Sequence, residues 1–194
     1  EGRIRYRGRV WQPGARVLYV SKDFDPAMGF VRRNDILNAS AESPFIFRWE
    51  SGALAAVSLR ARGDATTTAD AETFLGKTLS AGIGHRFRRG QSIDIDVSHA
   101  TDVVQERFEL PTGQTIPAAT YSGPQVNVHA SSSRKVNPHS SLNYNLNRAF
   151  YGGDRHTLSS DLSIYFGAHL RFSGGTEYSW FQVPDEGLTN TAAF

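Results

Sequence analysis

Cysteine is missing from this 194-residue sequence, which excludes disulfide bonds, thiolate metal sites and a cysteine nucleophile. No apolar run approaches the ~20 residues that a membrane-spanning helix needs. No signal-peptide pattern is present, although processing would have removed one. The 21 Lys and Arg residues are scattered and the net charge is only +2. Because nucleic-acid-binding proteins usually carry one strong basic stripe, we expect no nucleic-acid partner.

Helical periodicity is also nearly absent, and alternation with a period of two takes its place. In residues 141–150, SLNYNLNRAF, one parity carries Leu142, Tyr144 and Leu146, and the other carries mainly serine and asparagine. Alternate side chains of a strand point to opposite faces of its sheet, so such a segment has an apolar and a polar face. The 18 glycines and the abundant serine and threonine fit a β-rich chain with many turns.

The alternation predicts about ten strands. The clearest segments are 73–87, 91–101, 121–135, 141–150, 156–166 and 168–180. Shorter strands are expected at 4–11, 15–21, 44–51 and 53–62. Three stretches lack the pattern and are expected to be connections, namely 22–40, 106–119 and 183–194.

The length of the strands favours a membrane protein. The clearest strands run to about 10–13 residues, whereas globular strands commonly have ~5–6 and a bilayer-crossing strand needs ~9–11. Aromatic residues gather near strand ends, as in the girdles of membrane barrels. We therefore predict an all-β fold: an antiparallel up-and-down transmembrane β-barrel, with residues 1–194 as a single barrel domain or a barrel fragment. The apolar faces would contact lipid and the polar faces would line a wet lumen. A soluble β-sandwich with one buried face would give the same alternation.

Residues 20–35, VSKDFDPAMGFVRRND, carry a resemblance to a known family. The segment resembles the F-(N/D)-P-x-x-G-F-V-x-R motif of large bacterial envelope proteins. In those proteins an N-terminal family-9-like carbohydrate-binding module precedes a C-terminal region of unknown function, taken to be an outer-membrane barrel. Segments 109–123 and 149–184 also look like that region. The matching motif residues are Phe24, Asp25, Pro26, Gly29, Phe30, Val31 and Arg33.

The resemblance implies a location and partners. It implies the bacterial outer membrane, with outer-membrane lipid as the main partner. It also implies association with other envelope proteins, or with a glycan-binding module of the same full-length protein. That module is not in this chain, so its sugar binding does not carry over to these residues. In that family further strands would be expected after a segment like GLTNTAAF, residues 187–194, so the roughly ten strands are expected to be either a fragment of a larger barrel or an incompletely traced barrel.

One set of charged and amide residues shares the polar parity of the long strands, and we predict that it lines the lumen. Its members are Arg86, Asp94, Asp96, Asn143, Asn145, Asp161, Arg171 and Glu177. Asp94 and Asp96 are two residues apart on one strand face, and paired carboxylates perform acid–base chemistry in glycosidases. We favour a plainer role, in which they face arginines such as Arg86 or Arg171. Arg148 would join this set if it points inward.

The DFDPAMG segment, residues 23–29, is interpreted as architectural. Pro26 and Gly29 would fix a turn, while Phe24 and Phe30 would pin the loop to the barrel. Asp25 and Arg33 complete this structural loop motif. A calcium loop needs glycine at its sixth position, where Met28 stands, so no calcium site is expected.

No catalytic, cofactor or metal site is expected. The six histidines show no metal-binding spacing, and no nucleophile or phosphate-loop motif is present. The sequence thus predicts a non-enzymatic outer-membrane anchor, pore or secretion-associated scaffold. The alternative is a soluble antiparallel β-sheet module that recognises glycans through its exposed aromatic residues, with Trp11, Trp49 and Trp180 as stacking platforms.

Overall fold

A computed structural model describes residues 1–22, 35–109, 115–133, 135–167, 170–184 and 189–193. The described residues form strands and turns without a helix, which confirms the all-β prediction. No helix with the length and hydropathy of a membrane span occurs in these ranges. The strands are β1 (Gly2–Arg5), β2 (Gly14–Val20), β3 (Ile36–Glu42), β4 (Phe45–Arg48), β5 (Leu54–Thr68), β6 (Phe74–Phe87), β7 (Ser92–Val104), β8 (Phe108–Glu109), β9 (Thr115–Ile116), β10 (Ala119–Ser131), β11 (His139–Phe150), β12 (Gly153–Phe166), β13 (Leu170–Pro184) and β14 (Thr189–Ala193).

One antiparallel sheet contains twelve of these strands. Its order is β1-β2-β3-β5-β6-β7-β10-β11-β12-β13-β14, with β4 paired beside β5, and β8 and β9 form a separate small hairpin. Strands that are consecutive along the sheet are nearly consecutive in sequence, which is the up-and-down arrangement that the sequence predicts. In the described part of the chain the two edge strands, β1 and β14, are not paired with each other, and no closed barrel is present.

Six of the seven long strands were predicted well. The seventh, β5, was expected as a short strand at 53–62 but continues to Thr68, and the weakly patterned strands were not predicted. The connection expected at 22–40 contains β3, the connection at 106–119 contains β8 and β9, and the tail at 183–194 contains β14. The estimate of about ten strands was therefore too low. β3 has the sequence ILNASAE, whose small and polar residues hide the alternation. It is a strand because its backbone pairs with β2 on one side and β5 on the other.

The strand register separates one apolar face from one polar face. Aligned side chains of neighbouring strands form rows across the sheet. An apolar row runs through Leu59, Ile83, Ile95, Val128, Tyr144, Leu158 and Tyr178. One residue further along each strand, a polar row runs through Arg60, Gly82, Asp96, Asn127, Asn145, Thr157 and Ser179. We use "apolar face" and "polar face" for the sides of the sheet that carry these two rows.

The apolar face is not covered by a second layer of described residues. Leu79 is 62% exposed, Phe172 59% and Tyr178 52%. The solvent-accessible surface of the chain is 13366 Å². This is about 1.5 times the ~9,100 Å² expected of a compact monomer of this mass. A small cluster at one end of the sheet packs Ile116 and Phe181 against neighbouring aromatic rings. The main apolar surface of this sheet is therefore exposed in the described part of the chain.

Candidate functional site on the polar face

An arginine–carboxylate cluster lies at the centre of the polar face. Arg60 of β5 donates from Nη1 to Asp94 Oδ1 at 2.7 Å, and from Nη2 to Asp96 Oδ2 at 2.9 Å. The Nε of Arg60 lies 3.3 Å from Asp96 Oδ1, so the guanidinium contacts both oxygens of that carboxylate. The three side chains are 30–39% exposed. Such forked contact with a carboxylate fixes orientation as well as balancing charge.

Two glycines make this cluster possible. Arg60 and the two aspartates stand on β5 and β7, with β6 between them. The register places Gly82 between Arg60 and Asp96. A Cβ at Gly82 would overlap Asp96 Oδ1, and a Cβ at Gly84 would lie 2.6 Å from Ser58 Oγ. The missing side chains thus leave a trough on β6, and the arginine lies across it.

The arginine partner predicted for Asp94 and Asp96 was wrong. Arg60 binds them, and neither Arg86 nor Arg171 does. Arg86 is exposed at the end of β6, where the register places it opposite Ser92. The signal that identifies Arg60 is its parity, because it alternates with Leu59 and Ala61 within β5. What the pattern does not reveal is that the side chain reaches past one whole strand.

Amide and hydroxyl side chains continue the polar face beyond Asp96. The predicted residue Asn145 aligns with Asn127, and Asn143 aligns with His129. Gln125 Nε2 donates to Asn147 Oδ1 at 3.2 Å, and Ser98 Oγ donates to Gln125 Oε1 at 3.4 Å. Because these partners lie on different strands, the bonds form a chain across the sheet. The result is a hydrogen-bonded surface that water can wet.

The remaining predicted residues also belong to the polar face, but they are not brought into one cluster. Asp161 accepts a 3.3 Å hydrogen bond from Ser141 Oγ and lies opposite Gly175. Arg171 donates to Ser163 Oγ at 2.9 Å and lies over the Tyr165 ring. Glu177 aligns with Ser159. Arg148, by contrast, forms a 3.2 Å ion pair with Asp154 near the β11–β12 turn.

The predicted loop motif, Phe24, Asp25, Pro26, Gly29, Phe30 and Arg33, lies outside the described residues. Among the residues that are described, no group of three or more His, Asp or Glu side chains could hold a metal ion.

The apolar face carries an aromatic cluster that parity alone did not identify. Trp180 of β13 stacks on His156 of β12 with ring centroids 4.9 Å apart and planes 1° apart. Tyr144 Oη lies 2.9 Å from His156 Nδ1, so the imidazole has both a stacking and a hydrogen-bonding partner. His156 shares the parity of Leu158 in β12 and aligns with Leu146 of β11, so it belongs to the apolar face. The cluster gives this face amphipathic rings near one strand end.

The three tryptophans of the glycan-binding alternative do not share one surface patch. Trp11 stacks with Phe45, which is on β4 beside β5. Trp180 is on β13, six strand spacings from β5 along the sheet, or about 29 Å at ~4.8 Å per strand. Trp49 is 47% exposed after β4. Along the sheet, Trp11 and Trp180 are too far apart to stack on neighbouring sugar rings.

Comparisons of the chain with protein-family models, with curated proteins and with solved structures gave no match.

Proposed function

We propose that this chain is a non-catalytic β-barrel region of the bacterial outer membrane, acting as an anchor, pore or secretion-associated scaffold. Its apolar face contacts lipid and its polar face lines an aqueous interior. The uncovered apolar face of a twelve-stranded sheet is the observation that carries the proposal. In a water-soluble sandwich this face would be packed against a second layer.

The energetics of the apolar face support lipid contact. Burying one Leu, Val, Ile or Phe side chain is worth about 1.5–3 kcal/mol. The face presents many such residues, including Leu142, Leu158 and Leu162 at 40–49% exposure. Leaving them in water forgoes that stabilisation, whereas acyl chains would supply it. Backbone N–H and C=O groups in lipid must be hydrogen-bonded within the protein. The central strands meet this requirement because each has a hydrogen-bonded neighbour on both sides.

The lengths of the central strands support a transmembrane role as well. Strands β5, β6, β7 and β10 to β13 have 12–15 residues each. At ~3.3 Å per residue, 12 residues extend about 40 Å. A strand tilted by about 40° therefore covers about 30 Å along the bilayer normal, which is the thickness of the hydrocarbon core.

Membrane reconstitution tests the proposal. The chain is refolded with detergent-extracted outer-membrane lipid, and its gel migration is compared with and without boiling. We expect the chain to float with vesicles through a density gradient, and the unboiled form to migrate differently. A chain that stays monodisperse without detergent and does not bind vesicles would contradict the proposal and favour the soluble binding module.

A further inference from the structure

A second charged region lies on the polar face at the β1 side of the sheet, apart from the Arg60 cluster. Strands β1, β2, β3 and β5 line a cleft of about 470 Å³ there. Its charged members are four arginines and two glutamates: Glu1, Arg3, Arg5, Arg16, Glu42 and Arg62. Asp64 aligns with Ser40 of this cleft and is a further carboxylate on the same face. Even with Asp64 counted, guanidinium groups outnumber carboxylates by four to three.

The internal ion pairs of the cleft use only half of its arginines. Arg5 Nη2 lies 2.6 Å from Glu42 Oε1, and Arg16 Nε lies 2.8 Å from Glu1 Oε1. Arg3 and Arg62 make no side-chain hydrogen bond or ion pair with any described residue. Both are exposed. Two guanidinium groups are therefore available to a ligand.

The register places like charges directly opposite each other at this site. Arg3 of β1 pairs with Arg16 of β2. Like charges at facing positions of an antiparallel pair destabilise the pair, whereas an anion between them would remove that penalty. Glu1 pairs with Arg16 at 2.8 Å, but the next residue of the row, Ser40, carries no charge. Ser40 lines the cleft and offers a hydroxyl, which can donate to an anion.

We propose that this cleft binds a phosphate-class oxyanion, held by Arg3, Arg16 and Arg62 with Ser40 as an additional donor. The planar fork of arginine matches the oxygen spacing of a phosphate and allows two parallel hydrogen bonds. The phosphate can belong to a free solute or to a lipid headgroup. The cleft needs only a wetted polar face, so the inference is tested in detergent solution and does not depend on membrane insertion.

Calorimetric titration of the full chain in a neutral detergent, with inorganic phosphate as the probe, tests this site. We expect saturable binding, weakened about tenfold by Arg3→Gln or Arg62→Gln, because neither substitution removes an internal ion pair. Arg107→Gln, which removes the same charge from the exposed connection after β7, should leave binding unchanged. A parallel titration with short-chain phosphatidic acid separates the two sources. Tighter binding of the lipid identifies a headgroup, and equal or weaker binding identifies a solute.

Thermal unfolding provides a second test, in which the substitution that weakens phosphate binding should stabilise the phosphate-free chain. Without phosphate, Arg3→Gln should raise the unfolding temperature, since it removes the repulsion with Arg16. With phosphate, the same variant should lose the ligand-induced rise that the parent chain shows. Phosphate binding that is absent from the parent chain, or equal in the Arg3, Arg62 and Arg107 variants, would overturn the proposal.

Discussion

Arg60 and Asp96 are joined across a strand to which neither belongs. Arg60 is on β5 and Asp96 is on β7, and the guanidinium lies over Gly82 of β6 to contact both carboxylate oxygens. The same device occurs nearer the sheet edge, where Arg5 of β1 reaches past Gly14 of β2 to Glu42 of β3. In both places a glycine lies under the ion pair, and at Gly82 a Cβ would overlap the carboxylate. The polar face thus ties together strands that do not share backbone hydrogen bonds.

Gly82→Ala should therefore destabilise the sheet. The new Cβ would overlap Asp96 Oδ1 and force the cluster apart. We expect a loss of about 1 kcal/mol in the free energy of unfolding, because the ion pair that the new Cβ displaces is about a third exposed and such pairs contribute up to ~1 kcal/mol. Gly174→Ala on β13 is the matched control, because a Cβ there meets nothing within 4 Å. Denaturant unfolding of the two variants measures the difference, and equal stabilities would show that the trough on β6 is not needed.

Removal of charge from the cluster should reveal coupling between its members. Arg60→Met and Asp96→Asn, alone and combined, form a double-mutant cycle. Because these side chains are about a third exposed, solvent screens the pair, and we expect a coupling energy of about 1 kcal/mol. Arg86→Met combined with Asp96→Asn serves as the reference pair and should show none. Coupling through Arg86 and not Arg60 would mean that the polar face is arranged differently from this structure.

Much of the sheet, but not this cluster, could be predicted from sequence. The alternation in β6, β7, β11 and β12 fixes both their extent and their two faces. The polar parity of Asp94 and Asp96 follows from the same pattern. The pairing with Arg60 does not, since it depends on which strands become second neighbours and on the space above Gly82. Periodicity within one strand contains neither piece of information.

Edge and connecting strands escaped prediction for a related reason. β3 and β14 contain mostly small or polar residues, so their strand character comes from the neighbours with which they pair and not from their own alternation. The aromatic stack of His156 with Trp180 likewise joins two strands. Contacts between strands decide these features.

The turn between β5 and β6 should show a pH signature. Thr68 Oγ1 donates a hydrogen bond to Asp70, and the backbone N–H of Glu72 donates a second, so the pKa of the Asp70 carboxyl is lowered. These bonds stabilise the ionised form. Their contribution is present above the unfolded-state pKa of about 3.9 and is lost as the pH falls through the lower folded-state value. NMR titration should show the low pKa in the parent chain and a rise in Thr68→Val; an unchanged pKa in that variant would contradict the assignment.

A charge placed on the apolar face should be costly only in lipid. Leu162→Arg is expected to lower the unfolding free energy in vesicles by about 2–4 kcal/mol if residue 162 lies near the bilayer midplane. Ser159→Arg, on the polar face of the same strand, is the control and should cost far less. Unfolding in lipid vesicles compares the two. Similar costs for both substitutions would argue against lipid contact at Leu162.

Site-directed spin labelling of β12 tests the orientation of the sheet most directly. The chain has no cysteine, so a single cysteine can be introduced at each position from 157 to 164 and labelled without background. In reconstituted vesicles, labels at 158, 160, 162 and 164 should collide mainly with oxygen, which concentrates in lipid. Labels at 157, 159, 161 and 163 should collide mainly with a water-soluble nickel complex. A uniform response along the strand, or alternation in the opposite phase, would contradict the account.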